Sequence, residues 1–348
     1  MYTPKFSISN SILKNIGKIE ASREVIENAP LVPAYEAKFR QEAVIRTVHH
    51  GTHIEGNELD TGEVAAVLEG EHISARDRDV QEVLNYRKVL NYIDKKHKNI
   101  EEKDLLAIHK LTVDKVLRPE ASGRYRQTQV VVKNSKTGEI SFKPPEAEQV
   151  PALSKEFFGW LGNKQSEDIH PILVAGIAHY VLAYIHPFVD GNGRSARAVA
   201  TMVLFSRGYD IKKFFSLEEF FDRNAKRYYE TLQEVSNQKE DLTNKDLTVW
   251  LEYFCEGLAE ELASVKERVQ KLSLDSKLKG RTGQIALSER QMKLVEYMEA
   301  NGAVSNKQWR PLLRDFSDDT ILRDLKDLQK KGLIKKKGST KGAVYVLK

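Results

Sequence analysis

Residues 172–205 decide how this chain is read: ILVAGIAHYVLAYI over 172–185, HPFVDGNGRSAR over 186–197 and AVATMVLF over 198–205. The two outer segments are apolar nearly all round, the mark of buried helices. Between them stand a histidine, a carboxylate, an amide, two glycines and two arginines, a set that core packing does not call for. Pro187 disfavours the α region for His186, so the first helix is expected to stop there. Gly191 and Gly193 permit positive φ and let successive N–H groups face one point, an anion nest. A second helix beginning near Gly193 adds free N–H donors and a positive dipole end. Arg194 and Arg197, one turn apart, are expected to reach back to the same anion. Asp190 suits a hard divalent cation such as Mg²⁺ that bridges phosphates. His186, at the rim, is placed to take a proton from an attacking hydroxyl. The parts describe a nucleotide phosphate cradle with a base beside it; a buried histidine next to a solvated arginine pair is the plainer alternative.

At these residues the chain resembles the Fic (filamentation induced by cAMP) family. Its motif, His-Pro-Phe-x-Asp/Glu-Gly-Asn-Gly/Lys-Arg-x-x-Arg, is met from His186 to Arg197 at every defined position. The resemblance implies a Fic fold and transfer of AMP from ATP to a Ser, Thr or Tyr hydroxyl of a target protein, with pyrophosphate leaving. It implies His186 as base, Asp190 on Mg²⁺, Asn192 on the α-phosphate and Arg197 on the γ-phosphate. Phe188 would anchor the loop in the core, and Gly191, Gly193 and Arg194 would complete the nucleotide site.

Upstream, residues to about 100 read as helical. AKFRQEAVIRTV, 37–48, places Ala37, Val44, Ile45 and Val48 at helical spacing. Gly56-Asn57 is a helix stop, and Thr61 is expected to cap a short helix over 63–68. His49, His50 and His53 raise a metal reading, since 49 and 53 are i, i+4 partners, but no companion ligand pattern supports it. Ile54-Glu55-Gly56-Asn57 is similar to the inhibitory motif Ser/Thr-x-x-x-Glu-Gly/Asn of Fic proteins that carry an inhibitory helix ahead of the catalytic core. That likeness implies that Glu55 pairs with Arg197 and withholds the γ-phosphate partner. The chain departs from the motif at Gly51, where Ser or Thr is wanted, with Thr52 one place late.

Residues 99–116 read as an amphipathic helix with Leu105, Leu106, Ile108, His109, Val113 and Val116 on one face, His109 being a packed residue rather than a ligand. Strands over 129–132 and 140–142 flank a turn at 135–139. They resemble the family's β-hairpin flap, which holds a target peptide as an added strand. A helix over 151–160 follows. Past the central helices, Ser216 is a candidate N-cap with Glu219 as its capping-box partner. Tyr228 and Tyr229 match the family's Tyr-Tyr pair of the nucleotide base and ribose pocket. The asparagine often found seven residues beyond is Ser236 here, with Asn237 one place on.

Residues 247–265 form a long amphipathic helix and 266–283 a charged linker. Helices over 291–300, 307–313 and 318–331, followed by a basic two-stranded hairpin over 332–347, resemble a winged helix-turn-helix. Arg323, Lys326 and Lys330 would face a DNA groove, with hairpin lysines near phosphates. Asp318, Asp319, Asp324 and Asp327 on the same helix would repel DNA, so a protein-interaction or dimerisation role stands beside DNA binding.

With 348 residues there is room for two or three domains. At 41% hydrophobic residues, with no apolar run near twenty, no membrane span is expected. MYTPKFSISNSILKNIGKIE lacks the apolar core of a signal peptide. Cys255 is the single cysteine, which excludes an intrachain disulfide and fits a reducing, cytoplasmic compartment. The net charge is +5, yet from Arg281 onward fifteen Lys and Arg face eight Asp and Glu, so the C-terminal piece carries +7 and the remainder −2. No P-loop, Rossmann, zinc-ligand or serine-hydrolase pattern occurs.

The expectation is therefore an all-α Fic fold with a small β-hairpin flap and a C-terminal winged helix-turn-helix. Its parts are a helical domain with the inhibitory motif (1–99), the catalytic core (100–258), a linker helix (259–282) and the winged helix (283–348). The expected activity is that of an autoinhibited protein adenylyltransferase, self-modification included, with ATP as substrate and Mg²⁺ as cofactor. Two alternatives remain: a hydrolase that removes AMP from protein with the same site, and a DNA-binding regulator whose core senses nucleotide. A homodimer is possible and a membrane partner is not expected.

Overall fold

The computed structural model describes residues 2–348 apart from 32, 97–98, 134–139, 280–286, 315 and 339–342. The expected hairpin turn at 135–139, part of the 266–283 linker and part of the basic hairpin lie outside the described residues. Helices α1 (Asn10–Glu27), α2 (Pro33–His53), α3 (Thr61–Leu68) and α4 (Asp77–Lys95) precede α5 (Glu102–Thr112). A hairpin of β1 (Val132–Lys133) and β2 (Ile140–Phe142) leads to α6 (Val150–Leu161), α7 (Lys164–Glu167), α8 (Pro171–Ile185) and α9 (Asn192–Ser206). Then come α10 (Leu217–Arg223), α11 (Ala225–Ser236) and α12 (Thr248–Lys279). The C-terminal body runs α13 (Glu289–Asn301), β3 (Val304–Ser305), α14 (Asn306–Leu312), α15 (Asp318–Lys330), β4 (Ile334–Lys337) and β5 (Val344–Leu347). The chain is mostly helical, with few strands.

The centre is α8, where every residue from Ile172 to Leu182 is buried. Pro171 opens it at a position whose N–H has no helical partner to lose. Gly176 lets α12 come close: the Trp250 indole donates to its carbonyl at 2.7 Å, and a Cβ there would meet Leu251 Cδ2 at 2.8 Å. Each large apolar side chain buried around α8, such as Phe157, Trp160 and Phe254, contributes roughly 1.5–3 kcal/mol relative to exposure.

One apolar cluster runs from Tyr2 through Val83, Tyr86 and α8 to Val265 and Val269. The expected boundaries at 99/100 and 258/259 therefore do not separate cores, and α12 continues as helix through the proposed linker to Lys279. Residues 287–347 have a cluster of their own, including Leu294, Met298, Trp309, Leu325 and Tyr345, joined by Ala34 and Ala37 of α2. Their sheet has three strands in the order β3-β5-β4, all antiparallel. The third strand was not expected because two residues carry no readable alternation.

Other boundaries moved for local reasons. Asp60, not Thr61, caps α3, in a reciprocal box with Glu63. The helix expected from 99 starts at Glu102, since Asn99 has φ +51°. The first flap strand is confined to Val132–Lys133 rather than 129–132: Gln129 instead turns its amide to the Pro144 carbonyl at 3.0 Å. Ser216 does cap α10, but Glu219 does not return the bond; the Ser216 N–H goes to Glu261 at 3.0 Å, and Glu219 pairs with Arg46.

Candidate active site

The site forms where α8 ends and α9 begins. Pro187 does stop α8 at Ile185, but His186 takes the left-handed conformation, φ 51° and ψ 59°, rather than an extended one. Its N–H still closes the last turn onto Leu182 O at 3.0 Å. Its carbonyl accepts from the Arg126 Nε–H at 2.8 Å, and the Arg126 N–H donates to Pro187 O at 2.9 Å. Arg126 is buried and pins this bend from outside the motif. The His186 Nδ1 lies 3.3 Å from Ala183 O, which can only accept, so Nδ1 carries the proton and Nε2 is left as a base. Burial lowers its pKa from the ordinary histidine value, which keeps the ring neutral.

The loop is clamped on both sides. The Asn192 amide both donates to Phe188 O and accepts from Phe188 N–H, at 2.8 Å each. Its oxygen and one of its two Nδ2–H groups therefore hold the loop, while the second Nδ2–H and the backbone N–H remain for an anion. Phe188 is fully buried, as expected of an anchor, and stacks on His109 with centroids 3.6 Å apart and planes at 2°. His109 accepts from Gly123 N–H at Nδ1, so its Nε2–H is the donor that meets Asp190 O at 3.1 Å. Burial holds its pKa down at about 4. His109 is packed, as expected, and also ties α5 to the loop.

Gly191, at φ +75°, is the N-cap of α9 and has no side chain to cap it. Among the described residues no acceptor meets the N–H groups of Asn192, Gly193 and Arg194, so three donors converge at the positive end of α9. Gly193 lies inside the helix and not at positive φ, correcting that expectation. Its lack of a Cβ matters instead because the Glu55 carboxylate and Arg197 Nη1 occupy that space.

The two arginines do not converge. Arg197 is buried; its Nη2 donates to Glu55 Oε1 and to Gly51 O, each at 2.9 Å, while Nε and Nη1 have no partner among the described residues. Burial pulls its pKa down, but Glu55 and the neighbouring tyrosines outweigh that and hold it well above the ordinary value. Arg194, also buried, lies 3.2 Å from Glu82 and 3.5 Å from Asp190. Glu55 sits in the turn that follows α2, and Gly56, at φ +93°, ends that turn. Gly51 is needed where it stands: a Cβ would lie 2.6 Å from the Tyr86 ring and 3.3 Å from Glu218 Cγ. Thr52, one place later, turns its hydroxyl back to Val48 O.

The tyrosine pair divides. Tyr228 is buried, meets His179 Nε2 at 3.1 Å and stacks on Phe221, so it belongs to the core. Tyr229 is 45% exposed and donates to Ile54 O at 3.3 Å, against the turn that carries Glu55. Ser236, at the asparagine place, bonds Tyr180. His50 and His53 both meet Asp222, at 2.7 and 2.9 Å, which ties the end of α2 to α10. Among the described residues no group of three or more His, Cys, Asp or Glu is arranged to hold a metal by itself. Sequence reasoning missed Arg78, Glu82, Arg126 and Asp222. Arg78 and Glu82 are an i, i+4 pair, but what ties them to the site, like the contacts of Arg126 and Asp222, crosses long chain separations and carries no local signature.

The bent α8–α9 junction, with an open helix N-terminus, a buried histidine and a carboxylate-held arginine, sits in a mostly helical fold that matches solved Fic structures. Residues 99–204 match the model of the Fic/DOC family, and the chain carries a Fic/DOC family domain there. The protein adenylyltransferase Fic of Culex quinquefasciatus is 31% identical over 234 residues, 65% of this chain and 43% of that protein. The corresponding Nematostella vectensis protein is 30% identical over 229 residues, 64% of this chain and 50% of that protein. The chain thus spans about half the length of these relatives or less. Among solved structures, a Fic family protein from Desulfovibrio desulfuricans G20 aligns at TM-score 0.66 and 23% identity, covering 100% of this chain and 98% of that one. Fic-1 (residues 134–508) from Caenorhabditis elegans aligns at TM-score 0.58 and 25% identity, covering 77% and 73%.

Proposed function

We propose that this chain is an autoinhibited protein adenylyltransferase that moves AMP from ATP to a Ser, Thr or Tyr hydroxyl of a target protein. The observation that carries the reading is Arg197: a buried guanidinium with two unpartnered nitrogens, held on its third by the Glu55 carboxylate. That is an anion clamp with an internal anion in it. Relatives named protein adenylyltransferase support the same reaction class.

The chemistry follows from the atoms in place. His186 Nε2 takes the proton of the target hydroxyl, whose oxygen forms the bond to the α-phosphorus as the bond to the β-phosphate oxygen breaks and pyrophosphate leaves. The three free N–H groups of α9 stabilise the charge on the phosphate oxygens, and Arg197, once Glu55 withdraws, takes the terminal phosphate. Asp190, a partly exposed carboxylate, fits a Mg²⁺ ion that draws its other ligands from phosphates and water. When bound, that ion would neutralise phosphate charge. Tyr229 lies where it would line the nucleotide side of the site, and Val131 and Ile140, both exposed on the flap, offer an edge to a target strand.

Glu55→Gly, given ATP labelled at its α-phosphate, is expected to label protein (itself included) at least tenfold more than wild type. Adding His186→Ala should lower that by about 10²–10⁴. A Glu55→Gly protein that binds no ATP overturns the reading.

For the C-terminal body we propose a second reading, contact with duplex DNA. Three of the four aspartates expected to repel DNA are engaged within the body: Asp324 with Arg290 at 2.7 Å, Asp318 with Arg310 at 2.6 Å, and Asp327 with Lys331 at 2.5 Å. The exposed face of α15 then carries Arg323, Lys326 and Lys330 beside Asp319, with Lys335 and Lys336 exposed on β4. Duplex binding by the full chain should weaken with salt, and Lys326→Ala should lower the log–log slope by about 1. Salt-independent binding, or none, removes the assignment.

A further inference from the structure

Asp190, the carboxylate suited to the metal, is already paired with a cation of the protein. Its Oδ1 accepts from Gly191 N–H at 2.6 Å, and its Oδ2 accepts from Arg78 Nη2 at 3.1 Å. Arg78 stands in the first turn of α4, and its Nε–H donates to Glu82 Oε1 at 3.1 Å. The same Glu82 oxygen lies 3.2 Å from Arg194 Nη1, and Arg194 Nη2 lies 3.5 Å from Asp190 Oδ1. Asp190, Arg78, Glu82 and Arg194 thus form a closed ring of alternating charge. The Glu82 Oε2 also accepts from Asn57 Nδ2 at 3.2 Å, two residues beyond Glu55.

The members of the ring differ in freedom. Arg194 and Glu82 are buried, and leaving either charge unpaired there is costly, so they stay. Arg78 is 61% exposed, and an exposed ion pair holds weakly, so its guanidinium can swing into water. One guanidinium nitrogen contacts the Asp190 oxygen left free by the Gly191 N–H, the oxygen a hard cation would take.

We propose that Arg78 is a tethered cation standing in for the metal at Asp190. It neutralises the carboxylate while the cradle is empty and must swing out when a divalent cation arrives with the triphosphate. This is a gate on the metal, distinct from the hold of Glu55 on Arg197, and it rests on the reading of the site as a nucleotide cradle. Glu82 is its anchor, and through Asn57 it connects the gate to the turn that carries Glu55.

The test uses the full chain in the Glu55→Gly background, with Mn²⁺ as probe and a non-hydrolysable ATP analogue at saturation. Electron paramagnetic resonance reads free Mn²⁺ during titration. Arg78→Ala is expected to tighten Mn²⁺ binding about three- to tenfold, more at low ionic strength, because the competing cation is gone. Arg78→Lys, which keeps the charge, should stay within about twofold of the parent, and in an Asp190→Asn background Arg78→Ala should change nothing. Unchanged or weaker Mn²⁺ affinity in Arg78→Ala overturns the gate while leaving the nucleotide reading intact. Weaker binding of the analogue itself would make Arg78 a phosphate ligand and also overturn the gate. If the Glu55→Gly parent does not bind the analogue, both readings fall together.

Discussion

At Gly191 the backbone takes φ +75°, and an added Cβ would sit 3.0 Å from Val113 Cγ1. Left-handed backbone costs an L-residue roughly 1–2 kcal/mol, before any clash is counted. Gly191→Ala is therefore expected to lower stability by about that amount, read from the urea midpoint at unchanged slope. At His186 the sign of the pH dependence follows from burial. Its pKa is lowered from 6.5, so the ring stays a base at pH values where an ordinary histidine is half protonated. The acid limb of the labelling rate of Glu55→Gly should lie below pH 6.5 and fall as the pH drops through it; an acid limb above pH 7 would contradict the assigned environment.

Among the elements, α8 carries a second informative histidine. His179 is fully buried, stacked on Trp250 at 4.8 Å, and shares a hydrogen bond of 3.1 Å with the Tyr228 hydroxyl. Burial holds its pKa at about 3. The unfolded chain takes up this proton near pH 6.5 and the folded one does not, so folding loses stability as the pH falls below 6.5, down to about 3. At pH 5 this amounts to about 2 kcal/mol relative to pH 7. His179→Gln should remove that share, so the loss of stability from pH 7 to 5 in urea melts becomes smaller than in wild type. An identical pH dependence in the two proteins would contradict the assignment.

On the scale of the whole molecule, α2 is the beam between two bodies. Its first turns give Ala34 and Ala37 to the C-terminal cluster, and its later residues Phe39 and Val48 belong to the main core. Arg40 pairs with Glu299 of α13 at 2.5 Å, and Lys337 of β4 meets both Glu69 and Glu71 beyond α3. Ala37→Asp puts a charge into this contact. Hydrogen exchange is expected to accelerate in α13 and β5 while α8 and α9 stay protected; equal acceleration in both would show one cooperative unit instead. No helix among the described residues is long and apolar enough to cross a membrane.

The sequence alone determined what is local. The buried pair of helices around 186–197, the stop at Pro187, the turn at Gly191 and the cap at Ser216 depend on residues within a turn or two of one another, where sterics and hydrogen bonding are short-ranged. It also placed Glu55 opposite Arg197, but only through a family resemblance, since nothing local links residues 142 positions apart. Tertiary structure decided the rest. It set Tyr228 in the core and Tyr229 at the site, tied the Asn192 amide to the loop, and made Gly51 a steric need of Tyr86. It also brought Arg78 to Asp190 across 112 residues. Those choices depend on which helix faces pack together, and helical periodicity says that a face is buried without saying against what.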